Sequence, residues 1–334
     1  MFLNIGFSCD WWHQNYGFSF DESYYLDAAQ KIKTMQAMDE IMEKRFPYYA
    51  QTGGLKESAI SNPTIAVEPF GHRFIPALFG CTIKYSETTT PWARHRDLSD
   101  DEIMCMPFLT LEDFGRVKEV TTILRQVEEM SALGCACSAQ QNTGSVINTA
   151  LYLRKELFTD FYEKPEIIHR LFELIINRTE CSVEFFNKID GKVSDIGIGN
   201  CAVVMLSPAV YKTFNLPCDL KMMELAKKSG VRFSIHQDSN VTPFIECYKP
   251  FDYLYSFDVG QDTDIVRFRS AFPDVILNIF VYSGWLLENS AQEIHKGIGE
   301  LISKSGDPEL TGISCYDIDF ATEDEKIAAL CAAC

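Results

Sequence analysis

Basic residues are scarce in this sequence: 30 lysines and arginines stand against 47 aspartates and glutamates, a formal net charge of −17 over 334 residues. This surplus of negative charge repels phosphate backbones, which argues against nucleic acid as a partner. No run approaches the roughly 20 apolar residues that a membrane helix needs. The opening residues, MFLNIGFSCDWW, lack the basic region and cleavage site of a secretory signal. We therefore expect a cytoplasmic protein with no membrane partner.

Several familiar catalytic motifs are also missing. The sequence has no G-x-S-x-G elbow, Walker A loop, H-E-x-x-H helix or pair of CxxC motifs, which disfavours the enzyme classes built on them. Twelve cysteines are present, but their spacing is irregular. This pattern indicates reduced thiols rather than a disulfide scaffold, and it would suit an anaerobic cytoplasm.

Short apolar runs alternate with amphipathic helical segments, most regularly after residue 130. Such alternation predicts a parallel sheet, and about eight units predict an α/β fold, a single (β/α)8 TIM barrel over residues 1–334. A doubly wound sheet is the alternative, but no glycine-rich dinucleotide fingerprint follows an early strand. Residues 72–130 fit poorly, and we expect an N-terminal extension or insertion over the C-terminal face. The predicted strands are 2–8, 64–70, 134–140, 193–200, 231–238, 253–260, 275–282 and 310–317, and the predicted helices are 145–189, one from Ser207-Pro208 to near Gly230, 263–271, 290–305 and 322–333.

Potential metal ligands follow two of the predicted strands. His236 and Asp238 end one apolar run, and their spacing places them on the same side of the strand. Cys315 ends the last run. Because strand C-termini meet on one face of a barrel, these three side chains predict a catalytic zinc site with one open position. Other polar residues at predicted strand ends are Gln140, Gln141, Asn142, Asn200, Cys201, Asp258 and Tyr282.

An aromatic cluster follows the first predicted strand. Trp11, Trp12 and Tyr16 are grouped there with His13 and Asn15, in what reads as a loop. Aromatic residues usually build the core. Adjacent side chains point apart, however, so the pair of tryptophans favours a pocket wall for a flat or apolar small molecule.

Three segments resemble a known family: 144–176 (GSVINTALYLRKELFTDFYEKPEIIHRLFELI), 207–238 (SPAVYKTFNLPCDLKMMELAKKSGVRFSIHQD) and 312–330 (GISCYDIDFATEDEKIAAL). Together they resemble the uroporphyrinogen decarboxylase superfamily, and in particular its corrinoid-dependent methyltransferase branch. The resemblance covers roughly residues 130–330 and implies a (β/α)8 barrel. Decarboxylase members have an Arg-rich N-terminal loop, of the kind M-R-Q-A-G-R, that grips porphyrin carboxylates. The corresponding CDWWHQNYG has no arginine, which disfavours decarboxylation.

The methyltransferase branch implies a zinc site made by a His-x-Cys strand and a distant cysteine. His236 and Cys315 match that pattern, whereas Asp238 replaces the first cysteine. Zinc accepts a carboxylate oxygen, and this substitution makes the metal a stronger Lewis acid than two thiolates would. We therefore expect an oxygen-linked methyl donor rather than a thiol. Glu68 and Cys201 are the alternatives to Asp238 as third ligand.

These observations suggest a zinc-dependent methyltransferase that moves a methyl group from a small methylated substrate to the Co(I) corrinoid (cobalamin) of a partner protein. The best candidate substrate is an aryl methyl ether, which would make the protein an O-demethylase. Trp11, Trp12, Tyr16, Asn200 and Tyr282 are the candidate substrate-binding residues. The candidate catalytic residues, which would bind the substrate or protonate the leaving oxygen, are His13, Asn15 and Asp258.

Three other functions remain open at this stage. The same site in the reverse sense would serve a methylcorrinoid:thiol methyltransferase. A uroporphyrinogen-type decarboxylase is less favoured. A barrel without catalytic activity, which binds a corrinoid or tetrapyrrole, belongs to a different class and would need no zinc.

Overall fold

The computed structural model describes residues 2–47, 49, 65–138, 143–190 and 195–334. Its main feature is a sheet of seven parallel strands in the order β1-β11-β10-β9-β8-β7-β6. The strands of this sheet are β1 Phe2–Phe7, β6 Thr143–Gly144, β7 Asp195–Gly199, β8 Arg232–Gln237, β9 Ser256–Gly260, β10 Ile276–Phe280 and β11 Thr311–Ile318. The parallel α/β fold expected from the sequence is confirmed.

Two smaller sheets complete the strand pairing in the described ranges. One is parallel and joins β2 Ile65–Ala66 to β5 Cys137–Ser138. The other is antiparallel and joins β3 Ile83–Lys84 to β4 Trp92–Ala93. The predicted strand ends Gln140, Gln141 and Asn142 lie outside the described residues.

Helices follow most strands, and their boundaries match the sequence prediction closely. Ser207 accepts a hydrogen bond from the Val210 amide at the predicted helix start, and Gly230 ends that segment with a left-handed φ of 66°. The helices are α1 Cys9–Tyr16, α2 Glu22–Leu26, α3 Ala28–Arg45, α4 Phe74–Leu78, α5 Asp100–Cys105, α6 Leu111–Gly115, α7 Lys118–Ala132, α8 Val146–Leu153, α9 Leu157–Glu163, α10 Pro165–Asp190, α11 Pro208–Val210, α12 Leu216–Ser229, α13 Ile245–Tyr248, α14 Ile265–Ala271, α15 Ser283–Glu288, α16 Ala291–Ser305 and α17 Asp324–Ala333, with 3-10 turns at Gly71–Arg73, Cys201–Met205 and Thr242–Phe244 and a π-helical turn at Tyr211–Asn215.

The first and last strands of the chain pair in parallel, which brings both ends of the sequence into one sheet. Ile5 of β1 is opposite Cys315 of β11, but Phe7 is opposite Ile318, so β11 carries an irregularity near its C-terminal end. Asp317, inside this irregular stretch, has a φ of 54°. Such bulges bend a strand and re-aim the side chains beside it.

Residues 72–130 depart from the strand–helix alternation, as the sequence indicates. They contain the antiparallel pair β3–β4 and four helices, α4 to α7. None of the helices in the described ranges has the length and apolarity needed to cross a membrane.

Candidate metal centre

Three ligand-type side chains meet at the C-terminal ends of β7 and β8. They belong to Cys201, His236 and Asp238, and one potential ligand atom from each lies within 4.8 Å of the others. The Nε2 atom of His236 lies 3.9 Å from a carboxylate oxygen of Asp238. All three side chains are partly accessible to solvent. The group therefore combines one thiol, one imidazole and one carboxylate.

The pairing of β7 with β8 brings Cys201 to His236. Gly199, the last residue of β7, is opposite His236. The next residue, Asn200, donates its backbone N–H to the His236 carbonyl at 2.7 Å. The chain then turns into the 3-10 segment that begins with Cys201. His236 and Asp238 lie on the same side of the chain because their spacing of two matches the strand period.

Asp258 fixes the orientation of the His236 ring. Its Oδ2 atom lies 2.8 Å from Nδ1 of His236, and its Oδ1 atom accepts a hydrogen bond from Asn278 at 3.1 Å. Ser314 in turn donates to Asn278 at 2.9 Å, so a hydrogen-bonded row crosses β8, β9, β10 and β11. A carboxylate on the far nitrogen of a ligand histidine is the usual support of a metal site. Nε2 is left to face Asp238.

The imidazole of His236 strongly favours its protonated form when no metal is bound. Burial by itself lowers the pKa, but hydrogen bonds with Asp258 and Cys201 outweigh it, together with the charges of those two groups, and raise the pKa to about 10. The groups around His236 thus favour a positive charge on its imidazole.

The expected ligand Cys315 is not among the three side chains that converge. Ser314 belongs to the polar row that reaches Asp258, and successive side chains of a strand point to opposite faces. Cys315 therefore faces the other side of β11, where it is fully buried. Burial and the nearby charge of Asp317 raise the pKa of this thiol to about 12, so it is a neutral core residue. The thiol that lies beside His236 and Asp238 is that of Cys201.

The expected alternative ligand Glu68 also lies elsewhere. Its charge acts on Tyr24, Tyr25 and Lys31, in the region around β2. Lys31 is buried there and donates to the Ala66 carbonyl at 2.9 Å.

An aromatic ring packs against His236 and a second ring packs against the first, but neither belongs to the aromatic cluster near the N-terminus. The Phe280 ring stands edge-on to the His236 ring at a centroid distance of 5.7 Å, and Tyr316 lies 5.6 Å from Phe280. Gly6 makes room for Tyr316, because a Cβ at that position would lie 2.7 Å from the ring. Phe280 is the last residue of β10 and Tyr316 lies near the C-terminal end of β11, and this position is the signal that could have identified them.

The predicted residue Tyr282 also lies beside the centre. Burial, followed by the charges of Asp262 and Asp238, raises the pKa of its phenol to about 12. Its hydroxyl approaches Gly260 so closely that any Cβ there would collide with it and with the Ser239 backbone. Tyr282 therefore offers a neutral hydroxyl near Asp238.

The segment with the two tryptophans is a helix rather than a loop. Ser8 caps α1 by accepting from the Trp11 amide, and Gly17 ends it in the left-handed region. Trp11 and Trp12 are 0% and 4% exposed, and both pack against Phe7. The helix thus turns both indoles into the core, where they pack on Phe7.

The polar residues of α1 bond to groups other than Cys201, His236 and Asp238. His13 donates from Nδ1 to the Phe18 carbonyl at 2.8 Å, and Asn15 donates to the Trp11 carbonyl at 3.0 Å. Arg45, which the sequence did not indicate, donates to Asn15 and to the hydroxyl of Tyr16.

Arg45 also connects this segment to the end of the chain. Its guanidinium lies 4.7 Å from the Trp11 ring centroid and forms a two-point ion pair with Asp324 of α17. These contacts give α1 a structural role.

Asn200 is fully buried and its amide donates to Asp219, so its side chain belongs to the interior rather than to an open pocket.

Arg154 and Asp160, from the segment that carries the family resemblance, form a buried ion pair at 2.5 Å. The contacts of Asn200 and of the Arg154–Asp160 pair are therefore structural.

Comparison with known proteins identifies the wider group. The family profile described as uroporphyrinogen decarboxylase (URO-D) matches residues 62–333. A solved structure of a methyltransferase from Methanosarcina mazei is similar with a TM-score of 0.62 and 13% identity, covering 88% of this chain and 89% of that one. A D-psicose 3-epimerase from Clostridium cellulolyticum H10 has a TM-score of 0.31 and 9% identity, over 69% and 84% of the respective chains. A search of curated proteins finds no significant match.

Proposed function

Because the chain belongs to the uroporphyrinogen decarboxylase (URO-D) family, we propose that it is an enzyme of this family that transfers a methyl group at a metal held by Cys201, His236 and Asp238. The observation that carries the proposal is the convergence of these three donors. Further support comes from the fold, which is similar to that of a methyltransferase. In the proposal, the sheet closes as a (β/α)8 barrel whose C-terminal face holds the site.

The donor set suits zinc. Zinc takes nitrogen, sulfur and carboxylate oxygen ligands, and catalytic sites use three protein ligands with a fourth position open. Tetrahedral zinc with bonds of about 2.0–2.3 Å holds its donor atoms roughly 3–4 Å apart. The three donor atoms lie within 4.8 Å of one another, so small side-chain shifts would bring them to that spacing. Bound zinc would supply Lewis acidity to an oxygen of the substrate.

Residues of the chain bind and orient the substrate around this centre. Phe280 and Tyr316 offer aromatic surface beside His236, which suits an aryl methyl ether. Tyr282 offers a hydroxyl near Asp238 that is able to hydrogen-bond the ether oxygen. Asp258 holds the His236 ring in place rather than contacting the substrate. These assignments replace Trp11 and Trp12 as the expected pocket wall.

The methyl acceptor in this proposal is the Co(I) corrinoid of a partner protein. That cofactor would accept the methyl group with its own electron pair, so the substrate oxygen would keep the pair of the broken methyl–oxygen bond. The leaving phenolate then takes a proton from water. The partner cofactor supplies the nucleophile, while this chain supplies binding and polarisation.

Zinc analysis and a methyl-transfer assay test the proposal together. We expect one zinc ion per chain, lost in His236→Ala and Cys201→Ala, and loss of Co(I) absorbance when a reduced corrinoid protein is mixed with a methoxyaromatic donor. Turnover only with a thiol acceptor and a methylated corrinoid would identify the reverse reaction. A metal-free protein that binds corrinoid tightly, without turnover, would reject the enzymatic proposal.

A further inference from the structure

A buried carboxylate lies behind the metal centre, away from the three proposed ligands. Asp219 of α12 is 1% exposed, and a single oxygen, Oδ2, accepts three hydrogen bonds. The donors are Asn200 at 2.8 Å, the hydroxyl of Tyr211 at 2.9 Å and Asn215 at 3.0 Å. A carboxyl group is costly to bury, so three convergent donors indicate a specific arrangement rather than incidental packing.

Two of the donors come from an irregular helical turn. Tyr211 and Asn215 are the first and last residues of the π-helical turn that leads into α12. Both are buried, and both point to the carboxylate that follows on the same helix. Single π-turns are uncommon within α-helices and are frequently associated with functional sites. This turn therefore fixes the position of Asp219.

The third donor, Asn200, connects Asp219 to the metal centre. Asn200 immediately precedes Cys201, and its backbone N–H donates to the carbonyl of His236 at 2.7 Å. One residue thus bonds to Asp219 through its side chain and to a proposed ligand residue through its backbone. On the other side of Cys201, the Ala202 amide donates to Asn148 at 3.0 Å. The residues on both sides of Cys201, at the start of the 3-10 turn, are consequently held in place.

We propose that Asp219 is a positioning residue for the Cys201 thiol, acting through Asn200. This inference rests on the proposed function, because it assumes that Cys201 binds the metal. Asp219 does not touch the metal or the substrate. Its carboxylate orients Asn200, and Asn200 sets the start of the turn from which the thiol reaches His236 and Asp238. The same carboxylate therefore determines how much the thiol contributes to metal affinity.

Metal affinity measured with zinc and with cobalt(II), against a competing chelator, tests this role. We expect Asp219→Ala and Asn200→Ala to weaken binding by about 10–100-fold, the usual effect of losing a partner that orients a ligand. Thr179→Val is the matched control, because it removes a buried side-chain hydrogen bond, to the Ile175 carbonyl, that takes no part in the link between Asp219 and Asn200. This variant should keep metal affinity within about 2-fold of the wild type, whatever its thermal stability.

A double-mutant cycle separates positioning from general loss of structure. In a Cys201→Ser background, Asp219→Ala should weaken cobalt(II) binding by less than about 2-fold, since no thiol remains to be positioned. The thiolate-to-cobalt absorption band should be reduced in Asp219→Ala and Asn200→Ala, and absent in Cys201→Ser. If Asp219→Ala proves too unstable to purify, Asn200→Ala carries the same test.

The possible failures are distinguishable. If Cys201→Ser binds metal as tightly as the wild type, the proposed metal site itself is wrong. If Cys201→Ser loses affinity while Asp219→Ala and Asn200→Ala do not, the site stands and the positioning role is rejected. Equal losses for Asp219→Ala with and without the thiol would also reject it, since the effect would then be general.

Discussion

At the residue scale, two cysteines distinguish the observed site from the one that the family resemblance implies. Cys201 lies with His236 and Asp238, whereas Cys315 is buried on the opposite face of β11. We expect Cys201→Ser to lose bound zinc and Cys315→Ser to retain it, because only the first thiol reaches the other donors. Metal content of the purified variants measures this directly.

Cys315→Ser also serves as a control for damage to the fold. A hydroxyl in place of a buried thiol leaves a polar group among apolar neighbours, and this costs about 1–3 kcal/mol of unfolding free energy. The variant should therefore be less stable while still carrying zinc. Loss of zinc from Cys315→Ser alone would contradict the structure and favour the ligand set of the methyltransferase branch.

Asp258 gives a second prediction at this scale. Asp258→Asn keeps the shape of the side chain but removes the charge that orients His236, so zinc affinity should fall by about 10–100-fold. Chelator competition measures the change. Ser314→Ala, two hydrogen bonds further from the ring, is the control and should change affinity much less. Equal effects of the two substitutions would show that the polar row acts as a whole.

At the scale of single elements, the sequence predicted some strands well, whereas the predicted strands 64–70 and 134–140 are the two-residue strands β2 and β5, which pair in a sheet of their own. Apolar runs bounded by polar residues located β8 and β11 to within about two residues. The sequence identified Cys201 only as an alternative to Asp238, because neither periodicity nor spacing shows where a 3-10 turn directs its thiol. It also suggested a loop at α1, although Ser8 and Gly17 are good helix-capping residues.

The π-turn and α12 support a prediction about pH. Burial raises the pKa of Asp219 to about 7, despite the hydrogen bonds from Asn200, Tyr211 and Asn215 that favour the charged form. The folded protein therefore binds this proton more tightly than the unfolded chain, whose aspartates titrate near 3.9. Protonated Asp219 therefore makes its full contribution to the free energy of unfolding below about pH 4. This contribution is lost as the pH rises to about 7.

Denaturant unfolding of the wild type and Asp219→Asn across pH 4.5–7.5 measures this contribution. The wild type should lose at least about 1 kcal/mol relative to the variant over that range, since one pKa unit corresponds to about 1.4 kcal/mol. Titration of the remaining carboxylates cancels in the difference between the two proteins. Curves that stay parallel would rule out the raised pKa.

Gly260, at the end of β9, allows the Tyr282 hydroxyl to approach the strand closely. In Gly260→Ala, the new Cβ meets the Tyr282 hydroxyl and the Ser239 backbone, so we expect a loss of about 1–3 kcal/mol in unfolding free energy and a displaced phenol. Gly299→Ala in α16 is the control, because nothing lies within 4 Å of its Cβ. It should stabilise by about 0.5–1 kcal/mol. Thermal or denaturant unfolding measures both.

At the scale of the whole molecule, the contacts hardest to foresee join distant parts of the chain. Arg45 pairs with Asp324, 279 residues away, and β1 pairs with β11. The strand–helix alternation predicts a parallel sheet, but it does not specify which side chain of α3 meets the aromatic cluster of α1. The segment CDWWHQNYG contains no arginine of its own. In the folded structure, however, Arg45 of α3 packs against Trp11 in this segment.

Metal removal tests the site at this same scale. A metal that binds only the folded state stabilises it by about 2.7 kcal/mol at a free concentration 100 times its Kd. For a chain longer than 250 residues, each kcal/mol raises Tm by roughly 2 °C, so chelation should lower Tm by a few degrees. We expect this shift in the wild type and in Cys315→Ser but not in Cys201→Ser, as measured by calorimetry with and without chelator. A shift that persists in Cys201→Ser and disappears in Cys315→Ser would place the metal between β8 and β11, and would require a rearrangement that turns the buried Cys315 thiol towards His236.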